Sequence, residues 1–223
     1  MGRVGSGRAR FEGVSSAAMR NLGKADRIAA RKWRSLDWHS PRADLVKLGL
    51  AAAEFERRGI SVTHDDLRQR EFKAHLERKQ AALFAYFVSE AILKVPIAYA
   101  MIEDEDYDCV LWWKEGGEKE GKSHYARVQL KEIVPPHINP NATIESELAK
   151  LGKYSTSNQT LVAVHVNQEG PLVWSAIAKP ATSVAEIWLY AALTADQSRW
   201  FLYGDLLSQP KGFEIPWPTT FRR

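Results

Sequence analysis

Apolar residues recur at helical spacing through the first half of the chain, and in short runs rich in β-branched and aromatic residues through the second. Residues 1–15 are rich in Gly, Ser and Arg, and Ala17 to Leu36 reads as a short basic helix. Ser40-Pro41 reads as an N-cap followed by Pro in the first turn. The helix it opens carries Leu45, Leu48, Ala52 and Phe55 on one stripe and stops at Gly59. Thr63 with Asp66 suggests a second cap. A long helical region follows from Asp65 to about Val95. Its first half is charged (Arg68, Arg70, Lys73, Glu77, Arg78, Lys79) and its second half apolar (Leu83, Phe84, Phe87, Val88, Ile92). A helix that changes character in this way leaves solvent and enters the core, and Pro96 ends it.

From there the pattern switches to strands. Ile97 to Ile102 is the first candidate, with a continuation of the helix as the alternative. Tyr107 to Trp113 and Tyr125 to Ile133 bracket the polar, glycine-rich Glu115 to Gly121, the signature of a β-hairpin. Pro135 and Pro136 close the second of these strands. Ile144, Leu148 and Leu151 form the stripe of a helix over about Thr143 to Lys153. Thr160 to Val166 is nearly all apolar, as in a strand covered on both faces. Val173 to Ile177 reads as extended. Ile187 to Leu193 and Trp200 to Tyr203, around Thr194 to Ser198, read as another hairpin, and the tail with Pro210, Pro216 and Pro218 as an extended strap. The fold class this predicts is α/β: a mixed central β-sheet flanked by helices, with helical N-terminal and β-rich C-terminal additions.

The first hairpin carries the candidate chemistry. With its turn centred near Glu118 and Lys119, position 108 pairs across the ladder with position 129. Side chains alternate faces, so Gln129 and Lys131 share one, and the register puts Asp108 on it too. A carboxylate, an amide oxygen and an ammonium then converge. Oxygen ligands suit a hard divalent cation, and a lysine beside them is placed to orient a water. Cys109 falls on the opposite face, as a packed thiol.

Asp108 followed by Gln129-Leu130-Lys131 resembles the PD-(D/E)XK nuclease superfamily, the restriction-endonuclease-like fold, in its Q-x-K form. That family carries an Asp on the second core strand and (D/E)-x-K on the third. An acidic residue precedes the hairpin on a helix, and a helix and a strand follow it. Here Glu90 takes the helix position, and the resemblance covers roughly residues 80–170. It implies a metal-dependent nuclease with Mg²⁺ or Mn²⁺ as cofactor. Asp108 and Gln129 would be ligands, helped by the Leu130 carbonyl, with Lys131 positioning the attacking water and Glu90 as an outer ligand or water-orienting base. Gln129 departs from the usual carboxylate and removes one negative charge from the metal site. No Pro precedes Asp108.

Composition narrows the partners. The chain has 223 residues, 45% of them hydrophobic, with eight tryptophans, enough for one sizeable core. Residues 1–40 hold nine Lys/Arg against Glu12, Asp26 and Asp37, a net +6, whereas the other 183 residues hold 22 basic and 24 acidic side chains. The expected organisation is therefore a basic arm over residues 1–39 and a single α/β domain over 40–223. Such an arm suits phosphate backbones. Arg20, Arg27, Arg31, Lys32 and Arg34, with Lys150 and Lys153 beyond the helical stripe, are the candidate nucleic-acid contacts, to DNA before RNA, and a homodimer is compatible with this. The single cysteine and the absence of an apolar run near the roughly 20 residues that span a bilayer predict a cytoplasmic protein without membrane contact. Two rival functions stand beside the nuclease: a binding module of the same fold with a decayed site, and an assembly protein using its aromatic C-terminal region. The six histidines lack metal spacing, and neither a Walker-type loop nor a nucleophile elbow occurs.

Overall fold

A computed structural model of the chain describes residues 31–59, 73–102, 107–116, 121–153, 158–168, 170 and 172–219. Three α-helices and seven strands fall within them. Helix α1 spans Pro41–Arg57; Ser40 caps it by accepting the Ala43 N–H at 3.4 Å, and Pro41 opens it. Helix α2 spans Lys73–Phe87 and runs on as a π-helical segment, Val88–Leu93. Lys94, in the left-handed conformation at φ 57°, ends that segment before Pro96. The strands are β1 Ile97–Met101, β2 Cys109–Glu115, β3 Lys122–Ile133, β4 Thr160–Val166, β5 Glu186–Ala192, β6 Arg199–Gly204 and β7 Lys211–Pro216. Between β3 and β4, helix α3 (Ile144–Ala149) continues into a 3₁₀ turn, Lys150–Lys153. Thr143 and Ser146 close a reciprocal capping box at its start.

The seven strands form one mixed sheet in sequence order. β1, β2 and β3 are an antiparallel meander, β3, β4 and β5 are parallel neighbours, and β6 and β7 return antiparallel. Proline and the parallel crossover explain the switch: Pro135 and Pro136 forbid a tight return from β3, and α3 carries the chain back to start β4 beside it.

Each face of the sheet is covered by what the sequence pattern supplies. The apolar half of α2 (Leu83, Phe84, Phe87) packs on Tyr99, Cys109, Leu111, Val128, Leu161 and Tyr190. On the other face, Ile144, Leu148 and Leu151 pack on Ile133, Val162, Val164, Ile187 and Leu189. Further along that second face, Trp33, Tyr107, Val110 and Tyr125 form a separate aromatic cluster. Gln129 and Lys131 lie on β3 between these two clusters, one step from Arg127 on one side and from Ile133 on the other. The outer edge of β1 is protected by a bridge to His39, with N–H···O distances of 2.8 and 3.0 Å. Asp44 of α1 accepts both the Tyr99 hydroxyl at 2.8 Å and Arg78 of α2 at 3.3 Å, which ties both helices to that edge.

Four expectations are corrected. Trp33 is only 2% exposed and His39 pairs with β1, so the folded body begins before residue 40 and the arm is shorter than 1–39. The α1 stripe is buried only at Leu45, whereas Leu48 and Phe55 are 40% and 42% exposed. Val173 to Ile177 holds a 3₁₀ turn, Trp174–Ala176, and not a strand. The tail is the edge strand β7, paired with β6. Of the expected basic helix over Ala17 to Leu36, residues 31–33 are helical; its part before residue 31, the cap at Thr63 and the start of the long helix lie outside the described residues. Among the described residues no helix is long and apolar enough to cross a membrane.

Candidate active site

The hairpin register sets the site. Cys109 opposes Val128, so one step further Asp108 opposes Gln129. The Asp108 backbone is clamped on both sides: its N–H donates to the Val128 carbonyl, and its carbonyl accepts the Ile102 N–H, each at 2.9 Å. β2 ends there, while β3 continues to Ile133 alongside β4. The Leu130 N–H, which points toward the side β2 has vacated, is taken up by Asp108 Oδ2 at 2.6 Å. The same oxygen accepts the Gln129 Nε2–H. A side chain thus replaces the missing strand, and this holds the carboxylate against β3.

Lys131 is two residues beyond Gln129 on the same face and half-buried. Burial pushes the Asp108 carboxyl above its ordinary value. The Leu130 N–H and the Lys131 ammonium oppose that push, and from α2 Glu77 adds to it while Lys73 opposes it. Lys73 and Glu77 form an ion pair at 3.5 Å. Lys73 and Glu77 thus bear on Asp108 from α2, which packs on the sheet face opposite Gln129 and Lys131.

The helix carboxylate in the field of Asp108 is Glu77, and the structure does not bring Glu90 to it. Glu90 is exposed in the π segment, where its carbonyl accepts the Lys94 ammonium. The chain leaves the helix at Leu93 and returns along β1, whose far end, Met101, pairs with Cys109, so the Asp108 end of β2 lies several helical turns back from Glu90. Glu132 is a second residue the sequence reading missed. On the α2 face of β3, its carboxylate accepts Gln80 Nε2 at 3.2 Å and Asn167 Nδ2 at 3.0 Å. That pins the first half of α2 against β3 and β4, and with it the position of Glu77.

The other candidates scatter. Arg20 and Arg27 lie outside the described residues. Arg31, Lys32 and Arg34 are exposed around buried Trp33. Lys150 is exposed and paired with Glu147 at 2.5 Å, and Lys153 is exposed at the end of the same turn. Cys109 is fully buried, and burial pushes its thiol far up, as befits a packed residue. His165 stacks on Tyr190 with ring centroids 5.1 Å apart. Trp188 and Trp200 are core, at 2% and 1% exposure, and Trp217 is half-buried.

Among the described residues no group of three or more His, Cys, Asp or Glu side chains gathers as a metal cluster. The donor set at Asp108 is nonetheless of the type a hard cation takes: the carboxylate, the Gln129 amide oxygen once the amide turns, and the Leu130 carbonyl, which points the same way as its N–H. Comparison with protein-family models, curated proteins and solved structures returned no match.

Proposed function

We propose that this protein is a metal-dependent phosphodiester hydrolase acting on nucleic acid, of the PD-(D/E)XK kind with a Q-x-K site. The observation that carries the reading is the contact of Asp108 with Gln129 across the hairpin, with Lys131 one step along the same face. The order of elements supports it: a helix, three antiparallel strands, a helix, and a strand parallel to the third. Asp108, Gln129 and the Leu130 carbonyl would hold Mg²⁺ or Mn²⁺. Such an ion supplies Lewis acidity and lowers the pKa of a bound water. Lys131 holds the scissile phosphate by its charge and orients the attacking water.

A second reading rests on the same contact. Asp108 Oδ2 already accepts two donors, and the amide at 129 leaves the site one negative charge short. A protein of this fold that binds nucleic acid without cutting it would show both features. Incubating labelled single- and double-stranded DNA and RNA with the wild-type chain, in Mg²⁺ or in excess chelator, separates the two. Hydrolysis predicts fragments only in the presence of the metal. Salt-sensitive binding without fragments selects the binding module.

A further inference from the structure

The sheet face that carries Asp108, Gln129 and Lys131 continues, away from α3, into the aromatic cluster around Trp33. Trp33, Tyr107 and Tyr125 are its buried part, and Trp38 and Trp112 lean against it half-buried. The rings of Trp38 and Trp112 lie 5.9 Å apart, centroid to centroid, and Trp38 lies 6.2 Å from Tyr125. Trp112 stands on the same face of β2 as Asp108, four strand positions away, or about 13 Å. Two large rings thus keep partial contact with solvent on the face of a charged site.

The cluster also fixes where the basic segment sits. Trp33 is held by Tyr125 at 5.4 Å and by the Arg127 guanidinium, which lies 5.5 Å from the Trp33 ring and 5.4 Å from that of Tyr107. Tyr107 is the residue before Asp108. The exposed Arg31, Lys32 and Arg34 on either side of Trp33 are therefore rooted next to the candidate site. The one carboxylate in the same stretch, Asp37, is paired with His39 at 3.1 Å.

We propose that Trp38 and Trp112 form a stacking subsite for unpaired bases of a single-stranded nucleic acid, with Arg31, Lys32 and Arg34 on its phosphates. This rests on the reading that the Asp108 site acts on nucleic acid, and it names the substrate class. Aromatic rings beside cations recognise single strands because every base has a π-face and the backbone is anionic. In a duplex those faces are occupied by neighbouring bases, so the same rings gain nothing there. A strand seated on Trp38 and Trp112 runs along β2 and β3 and brings a phosphate a few nucleotides away to Lys131.

The test is binding of a fluorescently labelled oligothymidylate, and of a labelled duplex of equal length, to the full chain in chelator, so that nothing is cut. The wild type is expected to bind the single strand more tightly. Trp112→Leu, which keeps apolar volume but removes the π-face, should weaken single-strand binding roughly 5- to 100-fold and leave duplex binding unchanged. Trp112→Phe should retain most of the affinity, and a matching loss in that variant, with the thermal transition intact, overturns stacking. Equal wild-type affinity for both forms, unmoved by Trp112→Leu, overturns the subsite while leaving the phosphodiesterase reading in place. No binding of either form by the wild type, in chelator and again with Ca²⁺ in place of Mg²⁺, overturns that reading, and the subsite with it.

Discussion

At position 129 an amide stands where a carboxylate would complete a ring of oxygen donors around Asp108. Its N–H is what allows it to lie against the Asp108 oxygen without a cation between them. Gln129→Glu would set two carboxylates against each other beside a buried edge. We expect the variant to melt several degrees below wild type in chelator, since an unpaired charge there costs on the order of 1–3 kcal/mol. Added Mg²⁺ or Mn²⁺ should restore the transition, because hard cations respond to ligand charge. A variant that melts like wild type in chelator, and does not respond to metal, would make position 129 a passive strand residue. Glu186 offers a second test at this scale. It is 2% exposed, its Oε2 accepts the Trp188 indole N–H at 2.8 Å, and its Oε1 has no hydrogen-bond partner. Burial pushes its carboxyl up to about 7. Between its ordinary value and that one, the folded state binds a proton that the unfolded state has lost, so stability falls as pH rises through this window. Glu186→Gln should flatten that fall and raise the melting temperature at pH 8, as measured by thermal denaturation at several pH values. An unchanged pH profile would place the titration elsewhere.

Among the elements, the strands built from runs of apolar, β-branched and aromatic residues were legible in the sequence, whereas β7, with Gly212, Glu214 and flanking prolines, was not. β4 was expected at Thr160 to Val166 and is found there, and the hairpin centre gave the observed register. α1 was read less well. Its start followed from Ser40-Pro41, but periodicity alone could not show that only Leu45 of its stripe meets the core. The segment before it was misplaced for a related reason. Trp33 sits among Arg31, Lys32 and Arg34, and the charges masked a core anchor. Removing residues 1–30 should therefore leave the thermal transition unchanged, while weakening nucleic-acid binding and flattening its salt dependence by about one unit of slope per lost phosphate contact. Removing residues 1–39 should lower the transition markedly, because it takes away Trp33 and the His39 bridge. Trp33→Ala alone should cost about 3–5 kcal/mol. Equal melting of the two truncations would show that the segment from Trp33 to His39 contributes nothing to the fold.

Across the whole molecule, the α/β class and the order of elements could be read from the chain, whereas the direction in which α2 presents its charged half could not be seen in a stripe of apolar residues. That direction is set by β1 returning beneath the helix and by Glu132 holding Gln80. It decides that Glu77, and not Glu90, bears on the Asp108 carboxyl. In the function proposed above, Asp108, Gln129 and Lys131 would be the place where a phosphodiester bond is cut. The most direct measurement is the single-turnover cleavage rate in Mg²⁺ of wild type against Lys131→Ala, with thermal melts of both. The prediction is a loss of about 10²-fold or more, the scale of removing one preorganised charge-stabilising group, at an unchanged melting temperature. Equal cleavage rates in the two proteins would contradict it.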